Sequence, residues 1–214
     1  MARNAPTAFE PRKTPVQARS TVTVEAIYEA TIQVLLSQGA ERLTTTRVAE
    51  RAGVSVGTLY QYYPNKQSLL FAVLERHFDK VSDAVEAACE HARGWPLAEM
   101  VKEVVEAFVD AKMERTDIST ALYRIAAEVG GPALVRRAAQ RSRKALKAAL
   151  RTAPDAVLRQ EEFTVQMVLA AMAGTTRFVL EAGAPPVMAQ NLREHLVLLC
   201  QSYMAVATQT RSTR

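Results

Sequence analysis

The twelve residues AGVSVGTLYQYY, Ala52 to Tyr63, decide the fold because they fit two different structures. Residues 53–57 match G-x-S-x-G, the turn that presents the nucleophilic serine of α/β-hydrolases. They also fit a glycine turn between two short helices, with Ser55 as the N-cap of the second helix. A nucleophile elbow follows a strand, whereas residues 45–52 repeat apolar side chains at helical spacing. The sequence therefore favours two helices over an esterase, and we predict no catalytic residue.

Two faces are predicted for the two helical turns that follow this glycine turn. At 100° per residue, Leu59 and Tyr63 fall together and would face the preceding helices. Gly57, Thr58 and Gln61 fall on the opposite arc, which is small and polar. In a helix-turn-helix the second helix lies in the major groove of DNA, and a glycine there lets the backbone approach closely. The pattern predicts a helix whose outer face reads DNA.

The side chains of this outer face have suitable chemistry for that task. Gln61 has the geometry for a bidentate contact with adenine, and the methyl groups of Thr58 or Val56 could meet a thymine methyl. The hydroxyls of Tyr60 and Tyr62 lie at the margins, where contacts to phosphates would position the helix without reading sequence.

Helical periodicity extends through the rest of the chain, and no alternating strand pattern is present, so an all-α fold is predicted. The expected helices cover residues 22–36, 45–52, 56–62, 66–92, 97–114, 117–129, 132–152, 155–182 and 186–208. The expected organisation is a basic flexible arm (1–19), a three-helix DNA-binding domain (20–65), a connecting helix (66–92) and a larger helical domain (93–214). The arm carries Arg3, Arg12, Lys13 and Arg19 and would either follow DNA or remain a free tail.

Composition and residue spacing limit the partners, cofactors and compartment that are expected. The 214 residues are 49% hydrophobic with a net charge of +5, a mild excess that suits an anionic partner. Cys89 and Cys200 are far apart and predict buried free thiols, and the histidines lack metal-ligand spacing, so neither a metal nor a cofactor is expected. The longest uncharged stretch, residues 163–176, is shorter than the about 20 residues that a bilayer requires. We therefore expect a cytoplasmic protein with no membrane partner.

The run TTTRVAERAGVSVGTLYQYYPNK, Thr44 to Lys66, followed by Leu69-Leu70, resembles the DNA-binding signature of the TetR family of transcriptional regulators. The resemblance covers about residues 20–75, and it departs at Tyr63, where the family usually has phenylalanine. It implies a sequence-specific DNA-binding regulator, expected to be a repressor that a small-molecule ligand releases from its operator. The alternative is an α-helical ligand-binding or scaffolding protein that does not use its helix-turn-helix for DNA.

The resemblance also implies roles for individual residues. Thr45 and Lys66, each at the start of a helix, are expected to contact phosphates, and a helix N-terminus independently favours an anion beside Lys66. The recognition element is expected to consist of Ser55, Val56, Gly57, Thr58, Tyr60, Gln61 and Tyr62.

A homodimer on a palindromic double-stranded operator is the expected assembly, because one recognition helix discriminates little alone. The apolar positions of the last two predicted helices would form either a four-helix dimer interface or the chain's own core. These positions are Phe163, Met167, Leu169, Ala170, Ala173, Phe178, Leu180, Leu192, Leu196, Leu199, Cys200, Tyr203 and Met204.

A pocket for an apolar or amphipathic effector is expected in the larger helical domain, although aromatic and methionine side chains at helical spacing are more often plain core. Its candidate lining residues are Trp95, Phe108, Met113, Tyr123, Met167 and Met172.

A separate basic helix face from Arg136 to Arg151 would contact a membrane surface or further DNA, or would be a solvated face balanced by acids elsewhere. We favour the solvated face.

Overall fold

The computed structural model describes residues 18–210 of the chain, with side chains for residues 20–209. The predicted contacts of Arg3, Arg12, Lys13 and Arg19 in the basic arm lie outside these described side chains. Across the described range the chain forms nine helices and one two-stranded sheet. The elements are α1 (Ala18–Arg42), α2 (Thr45–Ala52), α3 (Val56–Tyr62), α4 (Lys66–His91), α5 (Leu97–Met113), α6 (Thr116–Ile125), α7 (Gly131–Leu150), β1 (Ala156–Leu158), α8 (Glu161–Glu181), α9 (Pro186–Ala207) and β2 (Thr208–Thr210).

The chain divides into two compact units, and three helices contribute residues to both. The first unit contains the residues up to His77 together with Ala121–Leu134, and the second contains Phe78–Thr120 together with the chain from Val135 onward. The helices α4, α6 and α7 cross this division. The domain boundaries expected from the sequence stay predictions.

The first unit is held together by one buried face from each of its four N-terminal helices. Ile27 of α1, Val48 of α2, Leu59 of α3 and Leu74 of α4 are at most 2% exposed. Gly39 has φ 78° and ψ 166°, a non-helical conformation that interrupts α1 three residues after the predicted helix end at residue 36. The four helical periods that the sequence predicts between residues 22 and 92 are therefore present and bury their apolar sides.

The core of the second unit lies among α5, α8 and α9, together with the buried faces of α4 and α7. Several positions that the sequence offered to a dimer interface belong to this core instead. Leu192, Leu196, Cys200 and Met204 lie in this core and are each at most 5% exposed, so the chain itself covers them; Leu180 is likewise buried. Only the exposed part of that predicted set remains available to a second copy.

The short sheet corrects the expectation that the helical region contains no strand. The predicted helix 155–182 starts only at Glu161, and Ala156, Val157 and Leu158 pair antiparallel with residues 208–210. Asp155 does not begin a helix. Its Oδ1 accepts the N–H of Leu97 at 2.9 Å and so caps the start of α5. Strands of three residues are too short to show alternation in a sequence. The helix α6 also ends early, at residue 125 rather than 129.

Candidate nucleic-acid interface

The turn between α2 and α3 is built by a glycine and a serine, as the sequence predicts. Gly53 is left-handed (φ 67°, ψ 29°), and its N–H donates to the carbonyl of Glu50 at 3.2 Å, which closes α2. Ser55 is extended, and its Oγ accepts the N–H of Thr58 at 3.0 Å, which caps α3. The segment before Ser55 is a helix and not a strand, so the strand–turn–helix of a nucleophile elbow is not formed.

The inner face of α3 is anchored by Leu59 and Tyr63, which are 0% and 5% exposed. Burial raises the pKa of the Tyr63 phenol to about 12, with the charge of Arg76 opposing that shift. At 5% exposure, Tyr63 offers almost no surface to a phosphate. The tyrosine that departs from the family pattern is therefore accommodated inside the unit.

The outer face of α3 carries the side chains that the sequence assigns to DNA. Ser55, Gly57 and Gln61 are exposed, and Tyr60 is 43% exposed. Three further members of the predicted set are half-buried, namely Val56, Thr58 and Tyr62. Of the residues predicted to read bases, Gln61 is therefore exposed, whereas Val56 and Thr58 are only partly accessible.

Two hydroxyl groups connect the helices α2 and α3 on this surface. The Oγ1 of Thr45, at the start of α2, lies 3.1 Å from the phenol oxygen of Tyr60 in α3. The sequence assigns both residues to the DNA-binding surface, and the structure places their hydroxyls side by side. A pair of hydroxyls has enough donors to serve both this bond and an oxygen of a phosphate.

Lys66 begins α4 and is half-buried, next to a cap made by its neighbours. The Oδ1 of Asn65 accepts the N–H of Ser68 at 2.8 Å, and the Ser68 hydroxyl donates to the Asn65 carbonyl at 2.7 Å. One N–H group of the first turn is therefore already satisfied. An anion at this helix end would rely mainly on the Lys66 ammonium and the remaining N–H groups.

Two arginines on α2 were not singled out by the sequence analysis. Arg47 and Arg51 are exposed and four residues apart, so they share one side of α2. The guanidinium of Arg47 donates to the carbonyl of Arg42, and the Nε of Arg51 donates to the Gln33 amide oxygen, each at 2.6 Å. Their spacing on the polar side of an amphipathic helix was the signal that could have identified them.

The predicted effector residues are dispersed. Phe108 and Met172 are buried in the second unit, Trp95 and Met113 pack at the edge of its core, and Met167 is 42% exposed. Tyr123 belongs to the first unit. Met113 also borders a half-open groove of about 440 Å³ between α5 and α9. This groove also includes the charged side chains of Glu106, Arg193 and Glu194.

A buried cation, which the sequence analysis overlooked, lies in the second unit. Lys112 of α5 is 3% exposed, and burial lowers the pKa of its ammonium to about 8. Its Nζ lies 4.9 Å from the centroid of the Phe78 ring. The interior of this unit is thus not uniformly apolar.

The basic face of α7 is largely neutralised by acidic side chains of α4 and α8. Arg141 donates to Glu86 and Asp83, each at 2.6 Å, and these bonds raise the pKa of its guanidinium. At the other end of α7, Arg151 binds Glu161 at 2.6 Å. Further pairs join Arg137 to Asp79, Arg143 and Lys147 to Glu162, and Lys147 to Glu161. The structure supports the solvated, acid-balanced interpretation of this face.

The second unit also contains two thiols and the apolar helix α8. Cys89 and Cys200 are free and buried, and burial raises their pKa values to about 12 and about 11. Across the described residues, no group of three potential ligand side chains could hold a metal ion. By length and composition, α8 alone among the described helices could cross a membrane, yet one side of it lies in the core of the second unit.

Comparison with known proteins agrees with this geometry. Residues 27–73 match the model of bacterial regulatory proteins of the tetR family, and residues 96–204 match the tetracyclin repressor-like C-terminal domain. The HTH-type transcriptional repressor KstR of Mycolicibacterium smegmatis is 40% identical over 62 residues, which is 29% of this chain and 30% of KstR. The chain thus aligns with less than a third of that relative's length.

Solved structures share the fold over nearly the whole chain. A TetR transcription regulator from Haloarcula marismortui superposes with a TM-score of 0.70 at 21% identity, covering 89% of this chain and 100% of that one. A tetR-family regulator from Streptomyces coelicolor gives a TM-score of 0.66 at 22% identity, covering 88% and 82%. The signature from Thr44 to Lys66, the two matching family models and this shared fold lead to one conclusion: the chain belongs to the TetR family of bacterial transcriptional regulators.

Proposed function

We propose that this protein is a sequence-specific DNA-binding transcriptional regulator that represses its genes from the cytoplasm. The observation that carries the proposal is the two-sided helix α3, which buries Leu59 completely and leaves Gly57 and Gln61 exposed. A helix-turn-helix needs this division, because one side must be fixed while the other enters the major groove.

Labelled DNA from upstream of the protein's own gene tests this function in a mobility-shift titration at several salt concentrations. We expect retardation that competitor DNA of random sequence does not abolish, with an affinity that falls linearly in log[salt]. Equal binding to all sequences, or no binding at low salt, would contradict the proposal.

Base reading is assigned to Gln61, the exposed amide on the outer face of α3. We expect Gln61→Ala to cost about 1–3 kcal/mol at one base pair per half-site and to relax preference there, because a bidentate contact with adenine is lost. Competition titrations against operators with single base changes measure this. An unchanged preference at every position would remove Gln61 from the reading set.

Phosphate contact is assigned to Lys66, together with the hydroxyls of Thr45, Tyr60 and Tyr62, while Ser55 and Val56 border the bases. We expect Lys66→Ala to weaken all DNA sequences alike and to lower the slope of log K against log[salt] by about 1. The same operator series, measured at four salt concentrations, separates this from base reading. A changed base preference in K66A would show that Lys66 reads sequence.

Replacing Gly57 by alanine is expected to change protein stability and operator affinity in opposite directions. A Cβ at this position would meet only the Oγ of Ser55, at 3.7 Å, so nothing within the described structure requires glycine. We expect Gly57→Ala to leave stability equal or raise it by up to about 1 kcal/mol, because alanine favours helix. Operator binding should weaken by about 1–3 kcal/mol, because the added methyl crowds the DNA.

Urea unfolding and fluorescence anisotropy on one preparation of G57A measure both effects. Unimpaired binding in a folded G57A protein would show that the backbone of α3 does not approach DNA closely at this point.

Dimerisation is proposed through an exposed apolar stripe on α8, supported by the family, whose regulators bind operators as dimers. The stripe consists of Phe163, Met167, Ala170, Gly174 and Phe178, spaced three or four residues apart and all exposed. A Cβ at Gly174 would meet no atom within 4 Å, so the chain leaves room there for another helix to approach. The exposed Leu198, Leu199 and Val206 of α9 extend the apolar surface. Surfaces of this kind mark protein contacts.

An amphipathic small molecule is proposed as the effector, acting within the second unit. The groove between α5 and α9 has a volume in the range of ligand sites, with Val109, Met113 and Val197 among its lining residues and Glu106 and Arg193 at polar positions. The predicted contacts of Trp95, Phe108, Tyr123, Met167 and Met172 stay predictions. Because α4 runs uninterrupted through residues of both units, we propose it as the element that an effector displaces. Release from DNA by small polar metabolites alone would argue against this effector class.

A further inference from the structure

The half-open groove between α5 and α9 combines an apolar lining with charged side chains. Val109 and Met113 of α5 and Ala189 and Val197 of α9 supply the apolar part. The volume of about 440 Å³ lies in the range of sites that enclose small organic molecules. A ligand of this groove must therefore have an apolar portion, and the charged side chains decide which head group it can carry.

The charged side chains of the groove are Glu106 from α5 and Arg193 and Glu194 from α9. The Arg193 guanidinium donates to the Oδ1 of Asp110, and this ion pair neutralises the cation of the set. Across the described residues, neither Glu106 nor Glu194 forms an ion pair or a side-chain hydrogen bond. The groove therefore carries an excess of negative charge, although the whole chain has a net charge of +5.

This charge pattern disfavours an anionic head group. A carboxylate would have to displace Asp110 to reach Arg193, and it would be repelled by the two glutamates of the lining. A cationic head group is attracted by both glutamates and breaks no existing ion pair. Each exposed charge pair contributes little by itself, so burial of the apolar portion must supply most of the affinity, while charge sets the preference.

We propose that the groove between α5 and α9 binds a lipophilic cation, an organic ammonium that carries an aliphatic chain. The chain packs on Val109, Met113 and Val197, and Glu106 and Glu194 balance the positive charge. This rests on the proposed function, in which the groove is the effector site, and it narrows the effector from an amphipathic molecule to a positively charged one.

Calorimetric titration of the full-length protein near pH 7 tests the preference with decylammonium, decanol and decanoate. These ligands share one chain and differ in head-group charge, and each is used below its micelle-forming concentration. We expect saturable binding in that order of affinity, with decanoate about tenfold weaker than decylammonium, because two attractions are exchanged for two repulsions. The difference should shrink as salt is added.

Three variants locate the effect in the groove. Glu106→Gln combined with Glu194→Gln keeps the side-chain size and should bring the affinities of decylammonium and decanoate within about threefold. Glu99→Gln is the matched control, because Glu99 is exposed on α5 two turns before Glu106 and does not line the groove. It should keep the full preference. Ala189→Trp, checked for folding by circular dichroism, fills the groove and should abolish binding of all these ligands.

Absence of saturable decylammonium binding, equal or tighter binding of decanoate, or an unchanged preference in the doubly substituted protein would overturn the inference. Undiminished binding in a folded A189W protein would do the same, since the ligand would then lie elsewhere. Operator binding of the wild-type protein, measured on the same preparation, keeps the two proposals distinguishable. If the operator is bound and the cation preference is absent, the proposed function stands while this inference fails. Failure to bind any operator would overturn the proposed function instead.

Discussion

Phe178→Glu is expected to convert the protein from a dimer to a monomer and to weaken operator binding by at least two orders of magnitude. Phe178 is 65% exposed at the end of the apolar stripe on α8. In the proposed interface its ring would be buried, and a carboxylate there would face an apolar partner surface at a cost of several kcal/mol. Losing the dimer removes one of two recognition helices from the operator, which is why the effect on DNA binding is large.

Analytical ultracentrifugation at micromolar protein, followed by an operator titration, measures both consequences. Val135→Glu is the control, because Val135 is 46% exposed in the same unit but lies on α7, outside the stripe. The control should remain a dimer and bind normally. A dimeric F178E protein, or two monomeric variants, would show that the α8 stripe is not the contact.

Leu59→Ala is expected to destabilise the DNA-binding unit by about 2–5 kcal/mol, the range for a fully buried leucine that leaves a cavity. Leu59 is 0% exposed and is the buried anchor of a helix of only seven residues. So short a helix has little stability of its own and depends on this packing. We therefore expect operator binding to be lost even at temperatures where the second unit is still folded.

Urea unfolding monitored by circular dichroism, compared with operator binding at low denaturant, measures this effect. Leu59→Met is the matched control, since it nearly conserves volume and should cost less than about 1.5 kcal/mol while preserving binding. If L59A bound DNA with unchanged affinity, α3 would be held by something other than its apolar side.

The helix-turn-helix could be predicted from the sequence because its determinants are local. Gly53 requires a left-handed turn, and Ser55 caps the helix that starts one residue later. The division of α3 into a buried and an exposed side follows from the helical period alone. The interpretation of Ser55 as a cap rather than a nucleophile likewise needed only the helical spacing before it.

Features that depend on distant parts of the chain could not be predicted in the same way. The acids that neutralise the basic face of α7 lie on α4 and α8, and Arg141 reaches Glu86 across 55 residues of sequence. Apolar periodicity in α8 and α9 did not reveal which side forms the core, because both sides carry apolar residues. Burial separates them: Leu196 is enclosed, whereas Leu199 is 50% exposed.

The small sheet ties α8 and α9 together at the end opposite their connecting turn. Ala184 donates to the carbonyl of Val179 in that turn, while Arg159 donates to the carbonyl of Ala207 beside the strands. The two helices are therefore joined by backbone hydrogen bonds at both ends. Neither helix can slide along the other without breaking the hydrogen bonds between β1 and β2. A ligand acting on this region would have to move α8 and α9 together. A second copy bound to α8 should therefore keep the same contact with and without ligand.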